Sequence, residues 1–158
     1  MAMLIKGGTV VTAEGTLEAD VVIEGEKIAA LLARGAATIG SAYDIIDATD
    51  LYVIPGGIDA HTHMEMPFGG TFSVDTFETG TKAAAWGGTT TIIDFAVQAK
   101  GTSLLATLDK WHEKADGNCA IDYGFHMIVS DVNDTSLDRK STRLNSSHVL
   151  RSRMPSSA

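Results

Sequence analysis

The 158-residue sequence has one cysteine, three prolines and no long apolar run. A single thiol, Cys119, excludes an internal disulfide and suits a reducing cytoplasm. No stretch approaches the ~20 apolar residues of a membrane helix, and residues 1–6 lack the basic segment and apolar core of a secretory signal. With 44% hydrophobic and 20% charged residues, the composition predicts a soluble, cytoplasmic globular protein with no membrane partner.

Positive charge is scarce until the end of the chain. All 20 acidic residues lie at or before Asp138, together with seven of the 12 lysines and arginines, so this body carries a formal charge of −13. The acidic body argues against nucleic acid as a partner. Residues 139–158 carry five basic residues and no acid, and this break in charge calls for an explanation of its own.

The most informative stretch is VIPGGIDAHTH, residues 53–63. It is typical of a short apolar strand that follows a Pro-Gly-Gly break and ends in two histidines. Residues i and i+2 of a strand share a face, so His61 and His63 can direct two imidazoles to one point while Thr62 points away. Imidazole nitrogens are good zinc ligands, and the pair is therefore a candidate metal site.

The segment before this motif has many short β-like runs and tight turns. Strands are predicted near residues 3–12, 19–24, 27–32, 43–47 and 51–54, with a bend at Gly7 and Gly8. Such a pattern is typical of a small sheet layer or sandwich, which we assign to residues 1–54.

From residue 55 the pattern changes to strand, helix, strand, helix, strand. The first helix is predicted at residues 75–86, with Asp75 as N-cap and Glu78 completing a capping box. The second is predicted to be capped by Gly101-Thr102-Ser103 and to run to about Ala115. Strands are predicted at residues 89–95 and 120–129. This alternation indicates an α/β protein with a parallel sheet or barrel over residues 55–138.

With these motifs the chain resembles the amidohydrolase superfamily, and within it the dihydropyrimidinase and D-hydantoinase branch. The strings that carry the resemblance are IDA at 46–48, VIPGGIDAHTH at 53–63, MPFGG at 66–70, DTFETGT at 75–81 and WGGTTTIIDF at 86–95, continuing through KW at 110–111 to about residue 134 or 138. The resemblance implies a (β/α)8 barrel of TIM type and a small β-sandwich built from both chain ends.

The resemblance also implies a function. Members of this branch hydrolyse the ring amide of dihydropyrimidines or 5-substituted hydantoins to N-carbamoyl amino acids, using two zinc ions or similar divalent metals. It implies that His61 and His63 bind the more buried metal. The other ligands, which are a carboxylated lysine, two histidines and an aspartate, would lie beyond this chain. A cytoplasmic homotetramer is expected for the whole enzyme.

Several further residues are candidates for the site. Asp59 could orient a histidine from behind, or bond to backbone as a strand-end carboxylate. Residues 64–72 match the loop that lines the pocket for the substrate's exocyclic group, with Met64, Met66 and Phe68 as its apolar members. The side chain of Asp94 is expected to face either the site or a helix terminus, and structural use is favoured. His126 is expected in the core, and Cys119 is expected to be buried and inert.

Residues 139–158 have no apolar periodicity and no counterpart in the family strings. We interpret them as a disordered or artefactual tail. Because a closed barrel needs about 250 residues, the chain is expected to be an inactive N-terminal fragment of the enzyme. Two alternatives stay open. One is a cyclic amidohydrolase of the allantoinase or dihydroorotase type, which the MPFGG loop disfavours. The other is a non-catalytic dihydropyrimidinase-related scaffold protein, which the intact histidine pair disfavours.

Overall fold

The computed structural model describes residues 2–36 and 43–132, which fall into two compact units that divide between Pro55 and Gly56. Residues 37–42 and 133–158, which include the predicted tail at 139–158, lie outside the described residues. None of the described helices is long and apolar enough to cross a membrane. The assignment of residues 1–54 and 55–138 to a sandwich and a barrel domain stays a prediction.

The first unit is a six-stranded sheet. Its strands are β1 (Ala2–Lys6), β2 (Thr9–Thr12), β3 (Gly15–Glu24), β4 (Lys27–Ala33), β5 (Tyr43–Asp47) and β6 (Tyr52–Val53). The order is β5-β1-β3-β2-β6, with β4 also paired to β3. The predicted bend lies between β1 and β2, where Gly7 adopts a positive φ of 81°. The amide of Gly7 donates to the buried Asp20 carboxylate at 2.9 Å, which ties the bend to β3.

The second unit has the predicted parallel sheet. It contains β7 (Gly57–Thr62), β8 (Pro67–Phe68), β9 (Thr71–Phe72), α1 (Phe77–Trp86), β10 (Thr89–Val97), α2 (Leu104–Ala115) and β11 (Asp122–Ile128). The central strand β10 pairs in parallel with β7 on one side and β11 on the other. The fold of these residues is therefore α/β, and its strands follow one another across the sheet in chain order.

The helices cover one face of this sheet. Alternate residues of β10 are buried, and Ile92 and Ala96 pack with Phe77 of α1 and Trp111 of α2 in one core cluster. The intervening residues of β10 are only partly buried. Because side chains alternate across a strand, the sheet has a closed helix-covered face and a second, more open face.

The start of α1 differs from the prediction. Thr76, and not Asp75, is the N-cap, and Thr79, and not Glu78, completes the capping box. The Thr76 hydroxyl accepts from the Thr79 amide at 3.1 Å, and the Thr79 hydroxyl accepts from the Thr76 amide at 3.0 Å. Glu78 instead pairs with Lys82 one turn later, which lowers the pKa of its carboxyl. Two hydroxyls one turn apart can satisfy the same amides as the expected Asp and Glu.

The Pro-Gly-Gly break brings β7 close to β10. A Cβ added at Gly56 would lie 2.1 Å from the Thr90 Oγ1 atom and 2.7 Å from the Thr90 Cβ atom, whereas one added at Gly57 would meet nothing nearer than 3.4 Å. We expect Gly56→Ala to destabilise the protein by about 1–3 kcal/mol, because the strands must separate. Gly57→Ala is the matched control and should be nearly neutral. Thermal unfolding of both variants measures this, and equal melting temperatures would contradict the close approach.

Cys119 packs against the core cluster of the second unit. Burial, together with the charges of Asp116, Asp94 and Glu65, raises the pKa of its thiol to about 12 from an ordinary value of 9.0. Since the thiolate is the nucleophile, alkylation by iodoacetamide at pH 8 should be about 1000-fold slower in the folded chain than in urea. Mass spectrometry over time measures both rates, and equal rates would show that the thiol is accessible and unperturbed.

Candidate metal centre

The two histidines lie at the carboxyl end of β7. His61 is the fifth residue of the strand, and His63 follows directly after its end at Thr62. Both side chains are exposed on the open face of the sheet, whereas Thr62 is buried on the helix-covered face. The Nε2 atoms of the two rings lie 3.2 Å apart. The strand therefore directs both imidazoles to one point, as its alternation predicts.

This separation fits a shared metal ion. Two neutral imidazole nitrogens at 3.2 Å require either a proton between them or a cation bound to both. A cation bound at the usual Zn–N length of about 2.0–2.1 Å would subtend about 100° between the two nitrogens, near the tetrahedral angle. The donor type and the nitrogen separation of the pair are thus compatible with two ligands of one zinc ion.

A phenylalanine supports the pair from the neighbouring strand. The ring centroid of Phe95 on β10 lies 4.5 Å from that of His61 and 5.1 Å from that of His63. His126 on β11 lies on the other side of Phe95, at 4.9 Å, and its Nε2 atom is 3.1 Å from the Ala60 carbonyl oxygen, which accepts from it. His126, which we expected in the core, is partly buried and belongs to this ring cluster. No local sequence signal could have found it, because its place beside Phe95 depends on the register of β11 against β10.

Asp94 lies behind the histidines, on the helix-covered face. Its Oδ2 atom accepts from the Thr62 hydroxyl at 2.9 Å and from the Met64 amide at 2.7 Å. Its Oδ1 atom accepts from Trp111 Nε1 at 3.3 Å. The carboxyl is fully buried, and burial raises its pKa above the ordinary value although these hydrogen bonds act in the opposite sense. Asp94 thus faces neither a helix terminus nor the open face.

Asp59 lies two residues before His61 on the same strand. Its Oδ1 atom accepts from the His61 backbone amide at 3.1 Å, so the contact is to the main chain of this candidate ligand. The carboxylate is exposed and not buried. That Asp59 orients a histidine stays a prediction. The contact through which it could act is the bond to the His61 backbone amide.

The segment after His63 is a small hairpin and not the simple loop that we expected. β8 and β9 pair across Gly69 and Gly70, which both have positive φ. This two-glycine turn between apolar residues was the available sequence signal. Phe68 is 76% exposed on β8, and Met66 closes the hairpin through its carbonyl, which accepts from the Ser73 amide at 2.9 Å.

Met64 and Glu65 anchor this hairpin to the helices. Met64 packs against the core cluster, and its sulfur lies 2.3 Å from the position that a Cβ on Gly80 of α1 would take. The Glu65 carbonyl accepts from Lys114 Nζ of α2 at 3.1 Å, and the Glu65 carboxylate accepts from the Phe77 amide at 3.3 Å. The main chain after His63 is therefore held by both helices.

Within residues 2–36 and 43–132, no group of three or more His, Cys, Asp or Glu side chains is arranged to hold a metal ion. Catalytic zinc sites usually have three protein ligands. A metal ion held by the His61–His63 pair would therefore need further ligands from outside the described residues.

Known proteins match this chain closely. The model of the amidohydrolase family matches residues 52–154, which is more than half of the chain. A D-hydantoinase of Streptomyces coelicolor is 65% identical over 136 residues, covering 85% of this chain and 29% of that protein. A D-hydantoinase of Geobacillus stearothermophilus is 52% identical over 138 residues, covering 87% and 29%.

Solved structures agree with these relatives. The crystal structure of the dihydropyrimidinase from Brevibacillus agri matches with a TM-score of 0.84 at 53% identity, covering 92% of this chain and 31% of that one. The chain thus spans about 29% of the length of the relatives named above. The family match includes residues 139–154, and the expectation that the tail is unrelated to the family stays a prediction. By these matches, the chain belongs to the amidohydrolase family.

Proposed function

We propose that the protein to which this segment belongs is a cyclic amidase that hydrolyses the ring amide of dihydropyrimidines or 5-substituted hydantoins, giving N-carbamoyl amino acids. The observation that carries this proposal is the His61–His63 pair, with nitrogens 3.2 Å apart at the end of a parallel strand. The names of the relatives, D-hydantoinase and dihydropyrimidinase, support the substrate class.

Members of the amidohydrolase family are generally metal-dependent, and His61 and His63 supply two imidazole ligands for such a metal. We propose two zinc ions, with a bridging carboxylated lysine and the remaining ligands outside the described residues. Bound zinc would supply an activated water and polarise the ring carbonyl. Phe95 and the backbone contact of Asp59 would hold the two rings in place before substrate binds.

The hairpin after β7 is our candidate for one wall of the substrate pocket. Phe68 is exposed there and could contact the group attached to the substrate ring, next to Met66. Met64 would support this wall from the helix-covered face, because its side chain packs against Gly80 and fixes the hairpin there. For the whole protein we propose a closed (β/α)8 barrel, completed by a β-sandwich. We also propose a homotetrameric, cytoplasmic enzyme whose partner is a small cyclic amide or imide.

The test uses a chimera in which residues 1–132 replace the matching segment of the Streptomyces coelicolor D-hydantoinase. We expect His61→Ala and His63→Ala each to reduce hydantoin and dihydrouracil hydrolysis to background, because a missing ligand removes the metal that activates water. Zinc content by mass spectrometry should fall in parallel. His112→Gln on α2 is the matched control and should keep both metal and turnover.

Two outcomes would contradict this proposal. Full zinc content with near-native turnover in His61→Ala would show that the pair does not bind the catalytic metal. The second is an unsubstituted chimera that folds as a tetramer and yet contains no zinc and hydrolyses neither substrate. That result would favour a scaffold function for this segment.

The 158-residue chain gives a separate prediction. Two imidazoles complete only part of a zinc shell, so the chain alone should bind zinc weakly and hydrolyse neither substrate. Equilibrium dialysis against zinc, with the same hydrolysis assay, measures this. Stoichiometric tight zinc with turnover would mean that the chain holds a complete site.

A further inference from the structure

We propose that Asp94 is a positioning residue for the metal centre: from the opposite face of the sheet it fixes the main chain on both sides of His63, through the Thr62 hydroxyl and the Met64 amide. This inference rests on the metal role proposed above for His61 and His63. It assigns to a carboxylate that touches neither ring the task of setting where both rings point.

The alternation of β7 makes this arrangement possible. Thr62 lies between the two histidines and points to the helix-covered face, where Asp94 is 0% exposed. One carboxylate oxygen, Oδ2, accepts from both the Thr62 hydroxyl at 2.9 Å and the Met64 amide at 2.7 Å. The residues before and after His63 are therefore bound to a single atom, which limits rotation of the strand end about its own axis.

A carboxylate suits this position because several N–H and O–H groups donate to it. The Thr62 hydroxyl, the Met64 amide, the Trp111 indole N–H and the Phe95 amide all donate to Asp94. An ionised carboxylate only accepts, so both of its oxygens can be satisfied without an unpaired donor. Buried charge-assisted hydrogen bonds of this kind are shorter and stronger than neutral ones.

Helix α2 carries the restraint further into the fold. Trp111 is 3% exposed and donates to Asp94, while Lys114, one turn later, donates to the Glu65 carbonyl at 3.1 Å. Helix α2 thus restrains Thr62 and Met64 through Asp94. It restrains Glu65 directly through Lys114. Outer contacts that orient metal ligands typically contribute a factor of about 10–100 to metal affinity or activity.

A purely structural role for Asp94 predicts a different result. It would lower the melting temperature of the protein and leave the metal affinity of the folded molecules unchanged. A positioning role predicts faster metal loss from molecules that are fully folded. It also predicts a lower kcat with little change in KM, because the substrate pocket is intact while the activated water is misplaced.

The test compares variants of Thr62 in the chimera defined above. Thr62→Val keeps the volume and removes the hydroxyl that donates to Asp94. We expect zinc loss to a chelator to become about tenfold faster and kcat to fall about tenfold. Thr62→Ser restores the donor and should return both quantities to within about twofold of the unsubstituted chimera. If Thr62→Val does not fold, Thr62→Ala removes the same donor and leaves room for a water beside the carboxylate.

The matched control is Thr107→Val. Thr107 is also buried, but its hydroxyl donates to the Ser103 carbonyl within α2 at 3.0 Å. It should lower stability without changing the rate of zinc loss at equal folded fraction. Zinc retention in Thr62→Val and Thr62→Ala equal to that of this control would overturn the positioning role. If His61→Ala also retained zinc, the metal assignment itself would fail. If His61→Ala lost zinc while both Thr62 variants retained it, only the role of Asp94 would be overturned.

Discussion

The parallel pairing of β10 with β7 on one side and β11 on the other is the constraint on which the second unit depends. It sets the register that places Asp94 opposite Thr62 and Phe95 opposite His126. Because side chains alternate, this register also sorts the chemistry by face. Apolar residues lie under the helices together with Thr62 and the Asp94 carboxylate, and the rings of the candidate site lie on the open face.

This sorting explains how the ring cluster combines the sequence neighbours His61 and His63 with rings from the two adjacent strands. His61, Phe95 and His126 come from three strands, and each occupies a residue on the open face near the carboxyl end of its strand. Active sites of α/β barrels lie at this end of the strands. The helix-covered face contributes to the site through Asp94, which accepts from the Thr62 hydroxyl and the Met64 amide beside the histidines. Asp94 therefore takes up no space on the open face.

What the sequence could predict depended on the range of the interactions. The strand alternation of His61 and His63, the Tyr43–Asp47 strand and the Ser103 cap of α2 are local, and each is confirmed. The predicted N-cap of α1 was wrong by one residue, because Thr and Asp are both good N-caps. The hydroxyls of Thr76 and Thr79 make the contacts that we expected from Asp75 and Glu78. The partners of Asp94 could not be predicted, because they require the register of β10 against β7 and the position of α2.

The Nε2 atoms of His61 and His63 lie 3.2 Å apart, within hydrogen-bond distance of each other. A proton on one of the two nitrogens can join them as a hydrogen bond, and a cation bound to both would take the place of that proton. The strand end that carries both rings is held by contacts that do not involve them, because Thr62 and Met64 donate to the buried Asp94. An arrangement that is rigid before binding loses less conformational entropy when the metal enters. The same bonds that stabilise the fold would in this way increase the metal affinity of the pair.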